Sequence, residues 1–563
     1  MINSQSSIKH SIIALCCAFL FVGTADAQSV KWFKKARKAQ LNIVTYDANG
    51  QLLNTTNGFF IDDEGTAVSD YSSFKGATRA AVIDESGKEW PVTCIAGASA
   101  LYDVVKVKVE IKKATPLRMA PVAALKGQHA YIMPYLSSKA SVPTITEIAQ
   151  KETFNELYSY YTLPVKAADK SAACPVMNEE GEVIGLLQMS AKGSEEQCFA
   201  IDVNYVNSLT TTAMSATTTD YRELLMKKAL PADAEQANSF IYLIGTRDTA
   251  LYLSYVDDYI AAFPTRENGY TMKAEVLSAK GDFTAAEETW ADGLKAVAKK
   301  DEILYSRSRS VYAKVQEGRQ CPENWTLDRA AEDIDAAMAI ASEPVYTAMK
   351  AHIFYSQKRY AEACQLFIDV NKTNLRSSGN FLYAAQCQQM LADTAAVLAL
   401  QDSAVACFTK PYVTDAAPAL LMRAQTLLSM NKFREAVMDL NDYEHLMSNN
   451  LNANFYYQRE QAEMRCRMFQ QALNDIERAV KMEPDEPLYH AELAAANYRF
   501  GQIDDAIAAA RAAIALDDEF ADAHRILGVC LKQQGKEAEA RKALERAAEL
   551  GDEMATGLLN AKP

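Results

Sequence analysis

Between residues 40 and 205 the apolar residues fall in short β-branched or alternating runs: "AQLNIVTYD", "GFFID", "RAAVID", "WPVTCIAG", "DVVKVKVE", "HAYIMPY", "VIGLLQM" and "CFAIDV". Turn clusters such as "DANG", "DDEG", "DESGKE" and "NEEGE" separate them. An apolar period of two places one face of a strand against a core, and Gly, Asp and Asn supply the turns between strands. Short strands at regular spacing predict a barrel or sandwich. The stretch "SLTTTAMSATTTD", from Ser208, has neither period. It reads as the start of a Thr-rich linker over 208–234.

Beyond the linker the strand pattern disappears, and Ala, Leu, Glu, Gln and Lys dominate. One alanine recurs at Ala286, Ala330, Ala363, Ala436, Ala472, Ala506 and Ala540, the last three standing 34 residues apart. Val397 fills the slot between Ala363 and Ala436, and the insertion "QEGRQCPENW" explains the long step from Ala286 to Ala330. A fixed period of this length marks stacked units. Small residues let two helices approach closely, and a pair that cannot bury its apolar face alone stacks on its neighbours.

That period resembles the tetratricopeptide repeat. The pattern of small residues and turn glycine is carried by Gly528, Gly535, Ala540, Leu544 and Ala547, again by Ala494, Gly501, Ala506, Ala510 and Ala513, and again by Ala274, Gly281, Ala286, Trp290 and Gly293. Pro484 and Pro264 stand at the family's closing proline. The resemblance implies an all-α superhelical solenoid over 235–560, with about seven or eight repeats after a degenerate first pair. It also implies a concave groove lined by the first helix of each repeat. Tyr457, Gln461, Arg465, Arg499, Arg525 and Lys532 fall on that face. A column of cations in an acidic chain is suited to a peptide carboxylate. The blander reading, which the sequence favours, is solvated charges answering acids such as Asp504 and Asp505. The Lys/Asn carboxylate clamp of chaperone-binding repeats is not matched.

The β-rich part resembles trypsin-like serine proteases of the high-temperature-requirement branch. Three segments carry the likeness in order: "NGFFIDDEGTAVSDYSSFKGA", "YDVVKVKV", and "ACPVMNEEGEVIGLLQ" followed by "CFAIDVNYV". The resemblance implies a trypsin-like double barrel over 28–207, making the chain multidomain, all-β and then all-α. It also implies slots for a triad, in which serine attacks, histidine takes its proton and a carboxylate orients the histidine. Asp103 fills the carboxylate slot. The histidine slot falls at Ser72 or a neighbour, and the nucleophile slot is Ala172. No histidine occurs from Gln28 to Gln128, and His129 lies in a later strand. Ser171 and Cys174 flank the nucleophile slot, but each would lack a base. The expectation is a degenerate protease domain that no longer cuts. It would be kept either to hold an extended peptide on a strand edge or to cap the repeats. The alternative is a serine-type endopeptidase with displaced catalytic residues.

Composition narrows the partners. A net charge of −14 argues against a broad nucleic-acid surface, so protein or peptide is the expected partner and no cofactor is implied. The weakly basic Lys9-His10, the apolar Ser11–Val22 run and Ala25-Asp26-Ala27 before Gln28 read as an export signal over 1–27. A periplasmic or secreted protein is expected, with a lipoprotein at Cys16 or Cys17 disfavoured because both cysteines sit inside the apolar run. No later apolar run is long enough to span a bilayer, which leaves envelope association open. No C-x-x-C pair occurs, so a zinc site is not expected. Cys174 and Cys198 are the candidate disulfide.

Overall fold

The computed structural model describes residues 31–560 except 141, 190–195, 319–320 and 449. The expected export signal lies outside the described residues. The rest divides into two compact units. The first reaches Val276 and takes in Lys295–Val297; the second holds Leu277–Leu294 and continues from Ala298.

In the first unit, β1 (Gln40–Tyr46), β2 (Leu52–Phe60), β3 (Thr66–Ser69), β4 (Arg79–Ile83), β5 (Glu89–Ser99) and β6 (Val104–Val109) close a barrel in the order β1-β2-β3-β6-β5-β4. Closure leaves no free strand edge. Leu41, Ile43, Phe60, Val82, Ile95, Val105 and Val107 fill the interior. Gly58 sits where a Cβ would stand 2.5 Å from the Val68 carbonyl oxygen and 2.7 Å from Ile43 Cδ1, so only glycine lets β1, β2 and β3 pack this closely.

The second sheet has seven strands: β7 (His129–Ile132), β8 (Thr144–Glu147), β9 (Gln150–Phe154), β10 (Tyr158–Leu163), β11 (Pro175–Met177), β12 (Val183–Gln188) and β13 (Cys198–Asp202). Their order is β8-β7-β11-β12-β13-β10-β9. The edge strands β8 and β9 are consecutive in sequence. The chain bends between them, where Ile148 N–H donates to Gln128 O (3.0 Å) and Ala149 N–H to Thr162 O (2.9 Å). The sheet therefore curls almost shut. Phe59, Val68 and Val104 of the barrel pack with Met133, Met177, Leu186 and Ile201 of the sheet in one buried cluster.

The segment read as a linker is not a free tether. Tyr221, Leu224 and Met226 sit in the barrel core. Residues 227–229 lie along β5, with Ile95 N–H donating to Lys227 O (2.8 Å) and Ala229 N–H to Ile95 O (2.7 Å). Its apolar residues are sparse and aperiodic, which gives the stretch a polar look despite what it buries. Asp233 then caps the helix Ala234–Ile244 through Glu235 N–H and Gln236 N–H. This helix packs on Thr249–Ala262 around Phe240, Tyr252, Tyr255 and Tyr259.

In the second unit the described helices run in pairs from Asp301–Glu317 with Leu327–Ile340 to Ala521–Gln533 with Glu537–Glu549, and Glu553–Asn560 follows. The recurring alanine is buried in every repeat, from Ala286 to Ala540, and Val397 is buried with it. The turn between paired helices needs a left-handed residue. Gly281, Gly501 and Gly535 supply it in some repeats, and Lys358, Ala392, Asn431 and Arg467 take the same conformation in others. A second recurring feature is an Arg–Asp pair with a buried aspartate. Arg307 meets Asp333, Arg423 meets Asp439 and Arg459 meets Asp475, each through two nitrogens. The aspartate always stands three residues after the recurring alanine, on the same helix.

Candidate functional site

Ser72, Asp103 and Ala172, the residues expected at the triad slots, fall between the strands of the barrel and the sheet. After β3 the chain makes one short turn, Ser72–Phe74, held by two carboxylates. Asp70 is buried and accepts from Ser73 N–H (3.0 Å), Ser73 Oγ (2.5 Å) and Thr56 Oγ1. Asp103, just before β6, accepts from Ser72 N–H (2.7 Å) and Ser72 Oγ (2.6 Å). The structure thus brings Ser72 and Asp103 into contact, with a hydroxyl donating to the carboxylate. A serine hydroxyl cannot serve there as a base near neutral pH, as an imidazole could.

The nucleophile slot is pinned from the other side. Asn57, buried on β2, donates through Nδ2 to Lys170 O (2.7 Å) and Ala172 O (2.9 Å), and its own carbonyl accepts from Ser69 Oγ (2.6 Å). Ala173 follows at φ 58°, so the loop turns sharply before β11. Ser171 is 3% exposed, so its hydroxyl is not offered to a substrate. His129 opens β7, opposite Glu147, and lines a separate surface pocket with Leu125 and Glu179.

Cys174 and Cys198 are both free and buried, which corrects the expected disulfide. Leu187 N–H donates to Cys174 O, and Cys198 lies on β13, so β12 runs between them. Two strand spacings put the cysteines on the order of 9–10 Å apart, beyond disulfide reach. Burial pushes the Cys198 thiol up to about 11 and the Cys174 thiol higher still.

The groove residues separate into different environments. Tyr457 packs on Tyr489 with ring centroids 5.6 Å apart. Gln461 donates to Glu460 Oε2 (2.8 Å). Arg465, Arg499 and Lys532 are exposed and form no ion pair among the described residues. Arg525 does not join them as a free cation. It pairs with Asp552 (2.6 Å) and Asp522. Arg499 and Arg525 share a pocket of about 350 Å³ with Glu492, Tyr498, Phe520 and Asp522, so the face is mixed in charge rather than a cationic row.

Sequence reading missed what lies beneath. Helix Ala453–Arg465 buries Arg459, Glu460 and Glu463. Arg459 reaches Asp475 (2.6 Å) and Glu444 (2.7 Å), and one carboxylate oxygen each of Glu460 and Glu463 has no partner. Desolvation, reinforced by Glu492 beside Glu460 and by Asp475 beside Glu463, pushes both carboxyls up to about 8. In sequence the only sign is "REQAE", charged residues where an amphipathic helix turns inward.

Among the described residues no helix is long and apolar enough to cross a membrane. None of their His, Cys, Asp and Glu side chains gather in threes to hold a metal.

Comparison with known proteins gives two family matches. Residues 56–186 match the model of a trypsin-like peptidase domain, a span that contains Ser72, Asp103 and Ala172. Residues 461–518 and 498–555 match the tetratricopeptide repeat. No curated protein matches the chain. Solved structures similar to it include the active form of the Rv3671c protease from M. tuberculosis, at 16% identity, covering 33% of this chain and 86% of that one with a TM-score of 0.29. Another is the serine endoprotease from Yersinia pestis, at 17% identity, covering 33% and 65% with a TM-score of 0.27.

Proposed function

The chain carries a trypsin-like peptidase domain ahead of tetratricopeptide repeats, and from that premise we propose that it is an exported, non-catalytic scaffold for protein or peptide partners. The repeat groove is the main binding surface, and the protease-shaped domain is a second binding or capping module. The observation that carries the reading is the Ser72–Asp103 hydrogen bond. The hydroxyl and carboxylate satisfy each other in the place where a base would act, while Ala172 offers no attacking oxygen. Asn57 holds the loop around Ala172 in place without any catalytic group on it. The competing reading, an endopeptidase with displaced residues, must recruit Ser171 from a buried position. The "A-D-A" site before Gln28 supports export.

A photo-crosslinking residue placed at Tyr457, Arg465 or Arg499 in the full chain tests the groove assignment in cells. Partner adducts are expected at these positions and not at Arg511 on the second helix of its repeat. Equal adducts at all four positions, or none at the first three, would overturn it.

A further inference from the structure

We infer that the first unit holds a binding pocket for a small amphipathic anion, an apolar body ending in a carboxylate, between residues 215–228 and the first helix pair. This site is independent of both the protease-like loops and the repeat groove.

The pocket measures about 660 Å³, within the range of ordinary small-molecule sites. Its walls combine apolar side chains, Ala216, Phe240, Leu243, Ile244 and Leu251, with the hydroxyl-bearing Ser215, Tyr221 and Tyr255. Its charged lining is entirely cationic: Arg222, Lys228 and Arg247. No carboxylate lines it, and the acids nearest in sequence are engaged elsewhere. Glu223 pairs with Lys75 (3.0 Å) and Tyr71, Asp220 accepts from Ala100 N–H, Asp248 caps Leu251, and Asp258 pairs with Lys227 (2.5 Å). Arg222 and Arg247 are exposed and make no ion pair among the described residues.

Lys228 is the more telling group. Its backbone N–H donates to Tyr255 Oη (2.8 Å) and its ammonium to the Leu224 carbonyl. Burial without a counter-ion lowers its amine to about 8. A half-buried amine sharing its pocket with two exposed arginines, in a chain of net charge −14, is a local reversal of the molecule's charge. Leu243 and Leu251 are each about two-fifths exposed at the rim, as apolar walls are when their partner is a ligand. Cations that can form charge-assisted bonds and apolar walls together select a carboxylate on an apolar chain. They disfavour a bare inorganic anion, which would leave those walls wet, and a neutral lipid, which would leave the charges unanswered.

The test is binding to the full-length protein by isothermal titration calorimetry. The probes are dodecanoate, the tripeptide Leu-Leu-Phe with a free C-terminus, and the same tripeptide amidated. At least one carboxylate probe binds with a micromolar Kd, and which one binds identifies the source of the anion. The amidated tripeptide and inorganic phosphate bind at least tenfold more weakly. Arg222→Gln and Arg247→Gln each weaken the carboxylate by about tenfold. Leu243→Ser weakens it as well, and Lys112→Gln, at an exposed cation elsewhere on the unit, changes nothing. Unaltered thermal melts of the two exposed arginine variants separate lost binding from lost folding. The proposal is overturned if neither carboxylate binds. It is also overturned if the amidated peptide binds equally well, or if the arginine variants bind like the unaltered protein.

Discussion

Replacing Glu460 by glutamine removes a charge that the repeat unit cannot accommodate, so the effect on stability must grow with pH. Glu460 is fully buried, one of its oxygens lacks a partner, and the other accepts from Gln461. Arg459, the neighbouring cation, is already committed to Asp475 and Glu444. Burial and the neighbouring Glu492 therefore raise the carboxyl from 4.5 to about 8. Below pH 4.5 the group is protonated in both the folded and the unfolded chain and costs nothing. As pH rises from there to about 8, the unfolded chain ionises and the folded one does not, so stability falls. Above 8 the loss is complete. Each pKa unit corresponds to about 1.4 kcal/mol, so the wild-type chain has lost about 2 kcal/mol at pH 6 and about 4–5 kcal/mol at pH 8.5. Glu460→Gln keeps the shape and the acceptor for Gln461 but has no proton to lose. The variant is therefore expected to exceed the wild type by those amounts. At about 2 °C per kcal/mol for a unit of this size, its Tm advantage grows by about 5 °C between pH 6 and pH 8.5. Differential scanning calorimetry of the full chain at the two pH values measures it. Hydrogen exchange in helix Ala453–Arg465 places the change in the right repeat. A constant advantage at both pH values, or a less stable variant at pH 8.5, would show that Glu460 is not held protonated in the folded unit.

Two further substitutions test the fold. Leu224→Ala, in the segment that wraps β5, should cost about 2–5 kcal/mol and lower the melting of the first unit, because the side chain sits in the barrel core; a free linker would show no change by calorimetry. Arg423→Ala strands Asp439, which is 4% exposed, and should cost about 3–5 kcal/mol. Chemical denaturation should then show Arg423→Ala combined with Asp439→Ala losing much less than the two single changes added together.

The sequence shows the repeats plainly where physics repeats them. Ala472, Ala506 and Ala540 mark the point where paired helices touch, which favours a small side chain. Gly528 marks a similar approach, since a Cβ there would come 2.7 Å from Leu544. The turns were legible only where glycine takes the left-handed position. Lys358, Ala392, Asn431 and Arg467 do the same work, but their residue types do not announce it. The Arg–Asp pairs were hidden because burial of the aspartate depends on a partner on another helix, which no local pattern records. The segment after Ser208 was misleading because Tyr221, Leu224 and Met226 reach the core without any period. The Cys174–Cys198 pairing failed because strand order, which places β12 between them, is a tertiary fact. The residues at the expected histidine and serine slots, Ser72 and Ala172, are by contrast read directly from residue type. The structure adds the Ser72–Asp103 contact and the Asn57 anchor.

The measurement closest to the central proposal is labelling of the purified full-length protein with a fluorophosphonate probe, which forms a covalent bond with an activated serine. No labelling of the protease-like domain is expected at neutral or mildly alkaline pH. Labelling that disappears with Ser171→Ala or Ser72→Ala would contradict the non-catalytic role and establish a working nucleophile in this domain.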